Sequence, residues 1–235
     1  TSAMKGDPEA RATIRTQAEW LAGNIETEGV RKGFWVHSYD NQKYPTLRAP
    51  WVSSLAQGNG ISALLRAGEL LDTSAFDAAV KDAFEALHLP TDAGGPRSVE
   101  GDEVWLEEYP LDPPAHVLNG AIYALWGVLD FARAWDDRAA WSLWRQGSDT
   151  IIRNLEAFDT GFWSRYEIAG PELASVHYHK NIHIPQLQVL GALLDSPVAR
   201  GIADRWSRYL WNPVSHVRRR LEGRRRWRQT RGLRP

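Results

Sequence analysis

The stretch WLEEYPLDPPAHVLNGAIYALWG, Trp105–Gly127, joins a proline-rich polar segment to an apolar helix. Val117, Leu118, Ala121, Ile122 and Leu125 recur at helical spacing, and Val128, Leu129 and Ala132 carry the pattern to about Trp135. So wide an apolar face belongs to a helix packed among other helices. Pro114 is the expected first turn, where a missing N–H leaves no bond unmade. The polar half sets two carboxylates, Glu107 and Glu108, beside the phenol of Tyr109. Acid–base groups on a short non-helical segment, braced by a helix, suit chemistry over a cleft. Taken alone, Glu-Glu-Tyr fits a solvated turn equally well.

Outward from this stretch the chain reads as further helices. Pro8–Glu26 carries Ile14, Ala18, Leu21 and Ile25 at spacings of three and four, with Asp7 as its cap. A second helix is expected from about Val52 to Leu71; Gly58 and Gly60 within it point to late helix entry or close backbone packing. Thr73–Leu89 is amphipathic. Ala139–Phe158, the latter part of Glu172–Leu194 and Val198–Trp211 follow, with Pro185 expected to break or delay its helix near His183. That makes about seven helices with no βαβ alternation, so the fold class is all-α, as a bundle or an α/α toroid. Residues 29–50, with Pro45 and Pro50, read as a short β-hairpin or an ordered loop, and Thr91–Gly101 reads as loop.

The 235 residues fit one large domain or two small ones. No apolar run is long enough to span a bilayer. Thr1–Ala10 lacks the apolar core of a secretory leader, so a cytoplasmic location is expected if the chain is complete. Cysteine is absent, which excludes disulfide and thiol chemistry and leaves the compartment undecided. The net charge of −1 hides an asymmetry: from Arg218 onward there are nine Arg and one Glu, so residues 1–217 carry −9. The expected organisation is a helical domain over 1–217 and a flexible basic tail over 218–235. The tail fits a frayed, solvated terminus better than a nucleic-acid-binding arm. The 12 Trp supply core packing, and also flat faces on which sugar rings stack.

Two further segments carry chemistry. SVHYHKNIH holds His177, Tyr178, His179 and His183. It reads as a metal pair on one helix face, as acid–base or sugar-contact groups, or as structural histidines. The lack of an HExxH motif, the absence of Cys and the nearby Pro185 count against metal. FDTGFWSRYEI adds Asp159, Arg165 and Tyr166.

These segments, taken in order with APWVSSLAQGNGISALLRA, WLEEYPLDPPAHVLNGAIYALWGVLD and YHKNIHIPQLQVL, resemble the C-terminal domain of the D-glucuronyl C5-epimerases. The resemblance covers roughly Trp51–Leu210. Those enzymes convert glucuronate to iduronate in heparan sulfate or heparosan chains. The resemblance implies an α/α toroid of about four helix pairs, packed in the full enzymes against N-terminal β-domains. It matches Tyr109, Tyr166 and Tyr178 to catalytic tyrosines and Glu108 to their acidic partner. Asn119, Tyr123 and His179 match residues that line the sugar. Tyr39, Gln57, Arg97, Arg165 and His183 complete the expected substrate contacts. Where the family carries an Arg three residues after the tyrosine matched by Tyr166, this chain has Ala169. The Arg usual before the Tyr-His pair is missing from Ser175–His177, and one extra residue stands between His179 and His183. Arg48, Arg97, Arg165 and Lys180 are the cations left to grip a uronate.

The reading is a uronate C5-epimerase-like isomerase on a glucuronate-containing, heparosan-like polysaccharide, without cofactor and without metal. Deprotonation at C5 builds charge beside an existing carboxylate, so that charge must be neutralised and a proton-transfer group is needed on each face. A phenol, with an ordinary pKa of about 10, needs a tuned environment for such work. The alternatives are a polysaccharide lyase that begins with the same deprotonation, and a catalytically silent glycan-binding domain. The expected partner is the anionic polysaccharide, with a homodimer as one source of the cleft wall that β-domains supply elsewhere.

Overall fold

A computed structural model describes residues 6–231. Among the described residues there are eight α-helices: α1 Pro8–Gly23, α2 Ser54–Leu71, α3 Asp77–Ala86, α4 Leu118–Trp135, α5 Arg138–Asn154, α6 Ile184–Leu193, α7 Pro197–Trp211 and α8 Pro213–Arg231. The one sheet among them is an antiparallel hairpin of β1 Arg97–Glu100 and β2 Glu103–Leu106. The fold is therefore all-α. None of these helices is long and apolar enough to cross a membrane. The chain forms two compact units, one reaching to Thr150 and the other beginning at Ile151.

The first unit is built on the crossing of α2 and α4. Their backbones approach at Gly58 and Gly127: a Cβ on Gly58 would lie 2.5 Å from Ala124 Cα, and one on Gly127 would run into the Gly58 backbone. Each glycine weakens its helix by roughly 0.5–1 kcal/mol relative to alanine, and the close approach offsets this. Ile61 and Leu64 of α2 and Ile122, Leu125 and Val128 of α4 are buried. Burial of each such side chain stabilises by about 1.5–3 kcal/mol. Phe84 of α3 stacks on Phe131 of α4, with centroids 4.0 Å apart. The α1 helix starts as expected: the Asp7 carboxylate accepts the Glu9 and Ala10 amides. Arg11 then donates to the carbonyls of Leu70 and Leu71 at the end of α2, which have no helical partner.

Residues 29–50 form an ordered loop rather than a hairpin. A single bridge joins His37 to Trp51, with His37 N donating to Trp51 O at 2.8 Å. The hairpin lies instead at 97–106, where a loop was expected. Gly101 opens its two-residue turn with φ +63, a conformation that favours glycine. Two strands are marginal alone, but Val104, Trp105 and Leu106 are buried and Val104 N donates to Thr150 Oγ1 at 2.9 Å. The end of β2 also caps α2: Ser54 N donates to Glu107 O, and Ser54 Oγ donates to Leu106 O.

In the second unit α6 packs on α7, and α7 on α8. The turn after the 3₁₀ segment Leu155–Phe158 is closed by Asp159, whose side chain accepts Gly161 N at 2.7 Å. Arg205 and Tyr209 of α7 both donate to the same carboxylate. Burial first, then Asp159, pushes the Tyr209 phenol up to about 12. Tyr178–His183 is a π-helix that runs straight into α6. Pro185 thus marks a change of helical winding rather than a break. The Arg-rich stretch from Arg218 is helical as far as Arg231, within α8.

Candidate active site

The first unit places Glu107, Glu108 and Tyr109 between β2 and α4. The helix begins at Leu118 and not at Pro114, because His116 takes a left-handed backbone (φ +53) and its N–H turns to Glu107 Oε2 at 3.0 Å. Glu107 is buried and serves the fold. It accepts from Ser98 Oγ at 2.8 Å and approaches His116 Nδ1 at 2.6 Å. Neither His116 nor this role of Glu107 stood out in the sequence, where the histidine precedes VLNG without any motif of its own.

Glu108 turns the other way, toward the N-terminus of α4. Asn119 Nδ2 donates to its Oε2 at 3.4 Å, and both residues are buried. Gly120 makes the room: a Cβ there would stand 2.5 Å from Glu108 Cβ and from Glu108 Oε2. A helix N-terminus also favours a carboxylate.

The Tyr109 ring, partly exposed, joins an aromatic group. Tyr44 lies 4.7 Å and Trp51 5.8 Å from it, centroid to centroid. Trp51 in turn packs on His37 at 4.1 Å and on Tyr39 at 5.9 Å. Burial lowers the His37 imidazole below its ordinary pKa. Tyr39 is 60% exposed, on the outer side of this group, and Trp51 Nε1 donates to its carbonyl. His37 and Tyr44, which no motif announced, and Trp51, which opens the resemblance, join Tyr109 in this aromatic group.

The remaining expected contacts of this unit fall in different places. Gln57 is fully buried: its Nε2 donates to the carbonyls of Gly33 and Ala83, and its Oε1 accepts Trp35 N. It ties the 33–35 loop to α2 and α3. Tyr123 sits one turn beyond Asn119 and stacks edge-on against Trp126 at 5.2 Å. Arg97 opens β1 opposite Leu106, two residues along from Glu108, and its buried Nε has no hydrogen-bond partner among the described residues. Arg48 is held by Asp40 at 2.6 Å.

The second unit brings Tyr166 and Tyr178 together, edge to face, with centroids 5.5 Å apart. The link between them is Ser164. Its Oγ lies 2.8 Å from His179 Nδ1 and 3.1 Å from His183 Nδ1. His179 Nε2 faces the Trp206 carbonyl at 3.1 Å, and a carbonyl only accepts, so Nε2 carries the proton. The Ser164 hydroxyl therefore donates to His179 Nδ1, and His183 Nδ1–H donates to Ser164. Both imidazoles are wholly buried and neutral. Burial lowers His179 to about 4, against a partial pull upward from the Trp206 carbonyl and Asp159. Burial, then His179, lowers His183 to about 3. His179 and His183 thus anchor the loop of Tyr166 to the helix of Tyr178. Both histidines lie within the π-helix Tyr178–His183. Arg165 is half-buried and donates to Gly170 O at 3.4 Å.

The all-α fold thus carries an acid–phenol segment at the start of α4 in the first unit and, in the second, a tyrosine pair pinned by buried histidines. A family model described as D-glucuronyl C5-epimerase C-terminus matches residues 28–208, and the chain belongs to that family. It is 28% identical over 212 residues to a D-glucuronyl C5-epimerase of Caenorhabditis elegans, across 83% of this chain and 34% of that protein. It is 25% identical over 179 residues to a protein of Methanocaldococcus jannaschii described as uncharacterized protein MJ1128, across 74% of this chain and 56% of that one. The chain thus spans about a third and just over half of these two relatives.

Proposed function

We propose that this chain is an isomerase domain that epimerises glucuronate at C5 within a heparosan-like polysaccharide, by cofactor-independent proton abstraction and return. The observation that carries the reading is the Glu108–Tyr109 segment: a carboxylate seated against the first turn of α4 at Gly120, and next to it a phenol set among Tyr44 and Trp51. Family membership supports it.

The reaction needs two proton-transfer groups. Tyr109 with Glu108 is the candidate in the first unit; in the second unit, taken by itself, Tyr178 or Tyr166 is the candidate. Removal of the C5 proton leaves an enediolate whose charge needs donors and a cation. Asn119 and the N-terminus of α4 are the donors in the first unit, and Arg97 is the cation with an unpartnered buried Nε. The exposed ring of Tyr39 and the partly exposed ring of His37, backed by buried Trp51, offer stacking surface for the flanking sugars.

Incubation with glucuronate polymers in deuterated water tests the proposal. The expected result is deuterium at C5, with iduronate appearing and chain length unchanged. An unsaturated product absorbing in the near ultraviolet would assign a lyase instead. No exchange on any uronate polymer would overturn the enzyme reading.

A further inference from the structure

His116 belongs to none of the segments' recognisable chemistry, yet it is clasped on every side. Its imidazole lies flat on Trp105, with centroids 4.4 Å and planes 22° apart. Its main-chain N–H and its Nδ1 take the two oxygens of Glu107, at 3.0 and 2.6 Å. Its Nε2 faces Glu100 Oε1 at 3.3 Å. Carboxylate oxygens only accept, so with both contacts made both ring nitrogens carry protons. The result is an imidazolium between two carboxylates. The Glu107 side chain has no exposure at all, whereas that of Glu100 is 54% exposed. A buried carboxylate needs a countercharge, and His116 provides it. The clasp also closes a loop. The chain leaves at Glu107, passes Glu108 and Tyr109, and returns at His116 directly before α4, where Asn119 and Gly120 receive Glu108.

We propose that His116 is a positioning residue for Glu108 and Tyr109: its charged imidazole, gripped by Glu107 and Glu100, keeps the 107–116 loop closed, and loss of that charge releases the pair. The inference rests on the proposed epimerase reading for its effect on activity. The groups facing the ring are Glu107, itself held by the Ser98 hydroxyl, on one side and Glu100 on the other; Glu103 accepts at 3.4 Å from the indole N–H of Trp105, on which the ring lies. Burial alone would lower His116, but the hydrogen bond and charge of Glu107, joined by Glu100, outweigh it and raise its pKa above the ordinary value. With a raised folded-state value, the clasp is at full strength below about pH 6.5 and is lost as the pH climbs through the higher value.

The test is His116→Gln, which keeps a neutral donor and removes the charge, with Glu107→Gln as the reciprocal change. Two readouts are taken: kcat and KM for C5 exchange across pH, and amide hydrogen exchange over residues 108–119. In the folded variants kcat falls about tenfold or more with KM within about threefold, and the alkaline decline of the native profile disappears. A folded His116→Gln whose pH profile superimposes on the native one overturns the proposal while leaving the epimerase reading intact. If the native chain exchanges no C5 hydrogen, the epimerase reading fails and the amide data decide alone. The ratio of variant to native exchange rates is then expected to exceed about ten at pH 6 and to approach one at high pH. A ratio of one at both pH values overturns the clasp.

Discussion

Gly120 and Glu108 are fitted to one another: the side chain of the glutamate occupies the space that a Cβ on residue 120 would need, 2.5 Å from Glu108 Cβ and Oε2. A glycine in the first turn of α4 thus makes room for Glu108 rather than serving the helix. In an exposed helix Gly→Ala stabilises by roughly 0.5–1 kcal/mol. Here the sign is expected to reverse. Gly120→Ala should lower stability by about 1–3 kcal/mol and reduce C5 exchange by two orders of magnitude or so, because a displaced carboxylate loses its reacting geometry. Denaturant unfolding and deuterium incorporation check the two parts.

Tyr109→Phe separates chemistry from packing. The ring contacts with Tyr44 and Trp51 need no hydroxyl. Loss of one hydrogen bond costs about 1 kcal/mol, which is a few degrees in Tm at most. Loss of a proton-transfer group costs about 10²–10⁴-fold in rate. The expected variant is folded and fails to exchange C5 hydrogen; full exchange in it would remove Tyr109 from the mechanism.

His179 and His183 predict acid sensitivity with a definite sign. Both stay neutral in the fold to about pH 4 and about pH 3, whereas in the unfolded chain they protonate near 6.5. Below pH 6.5 the unfolded state therefore binds more protons, and stability falls with pH. From pH 7 to pH 4 the loss should reach about 5 kcal/mol, a drop in Tm on the order of 10 °C. His183→Gln should make that decline shallower. A Tm constant over this range would show that the buried pair is not what the geometry describes.

The crossing of α2 and α4 leaves no tolerance at Gly127. Gly127→Val places a branched side chain against the backbone of Gly58, so the helices must separate. A loss of about 3 kcal/mol or more is expected, against a far smaller effect for Gly23→Val, where a Cβ meets nothing within 4 Å. Parallel urea unfolding of the two variants makes the comparison.

Helical periodicity made the all-α class legible, and it placed α1, α2, α5 and α7 within a few residues of their ends. The 97–106 hairpin was not legible. Arg-Ser-Val-Glu carries no strong alternation, and its pairing partner is held by burial of Trp105 and by Thr150, a residue 46 positions from Val104. The start of α4 was misplaced for a similar reason: nothing in Pro-Pro-Ala-His announces that the His116 amide will turn to a carboxylate nine residues earlier.

Local chemistry in the sequence determined the candidate residue types in each unit: Glu108 beside Tyr109 in the first, Tyr166 and Tyr178 on separate segments of the second, and the helices that carry them. Such signals are short-range, because helical spacing and motif order act within a few turns of chain. Only the tertiary structure decided what each group does. Glu107 was sent into the core to meet His116, Glu108 was seated against Gly120, Gln57 was spent on backbone carbonyls, and two histidines were closed onto Ser164. The reason is physical: a buried polar group must find partners, and which partners lie within about 3 Å of it is settled by packing between elements, not by neighbours in the chain.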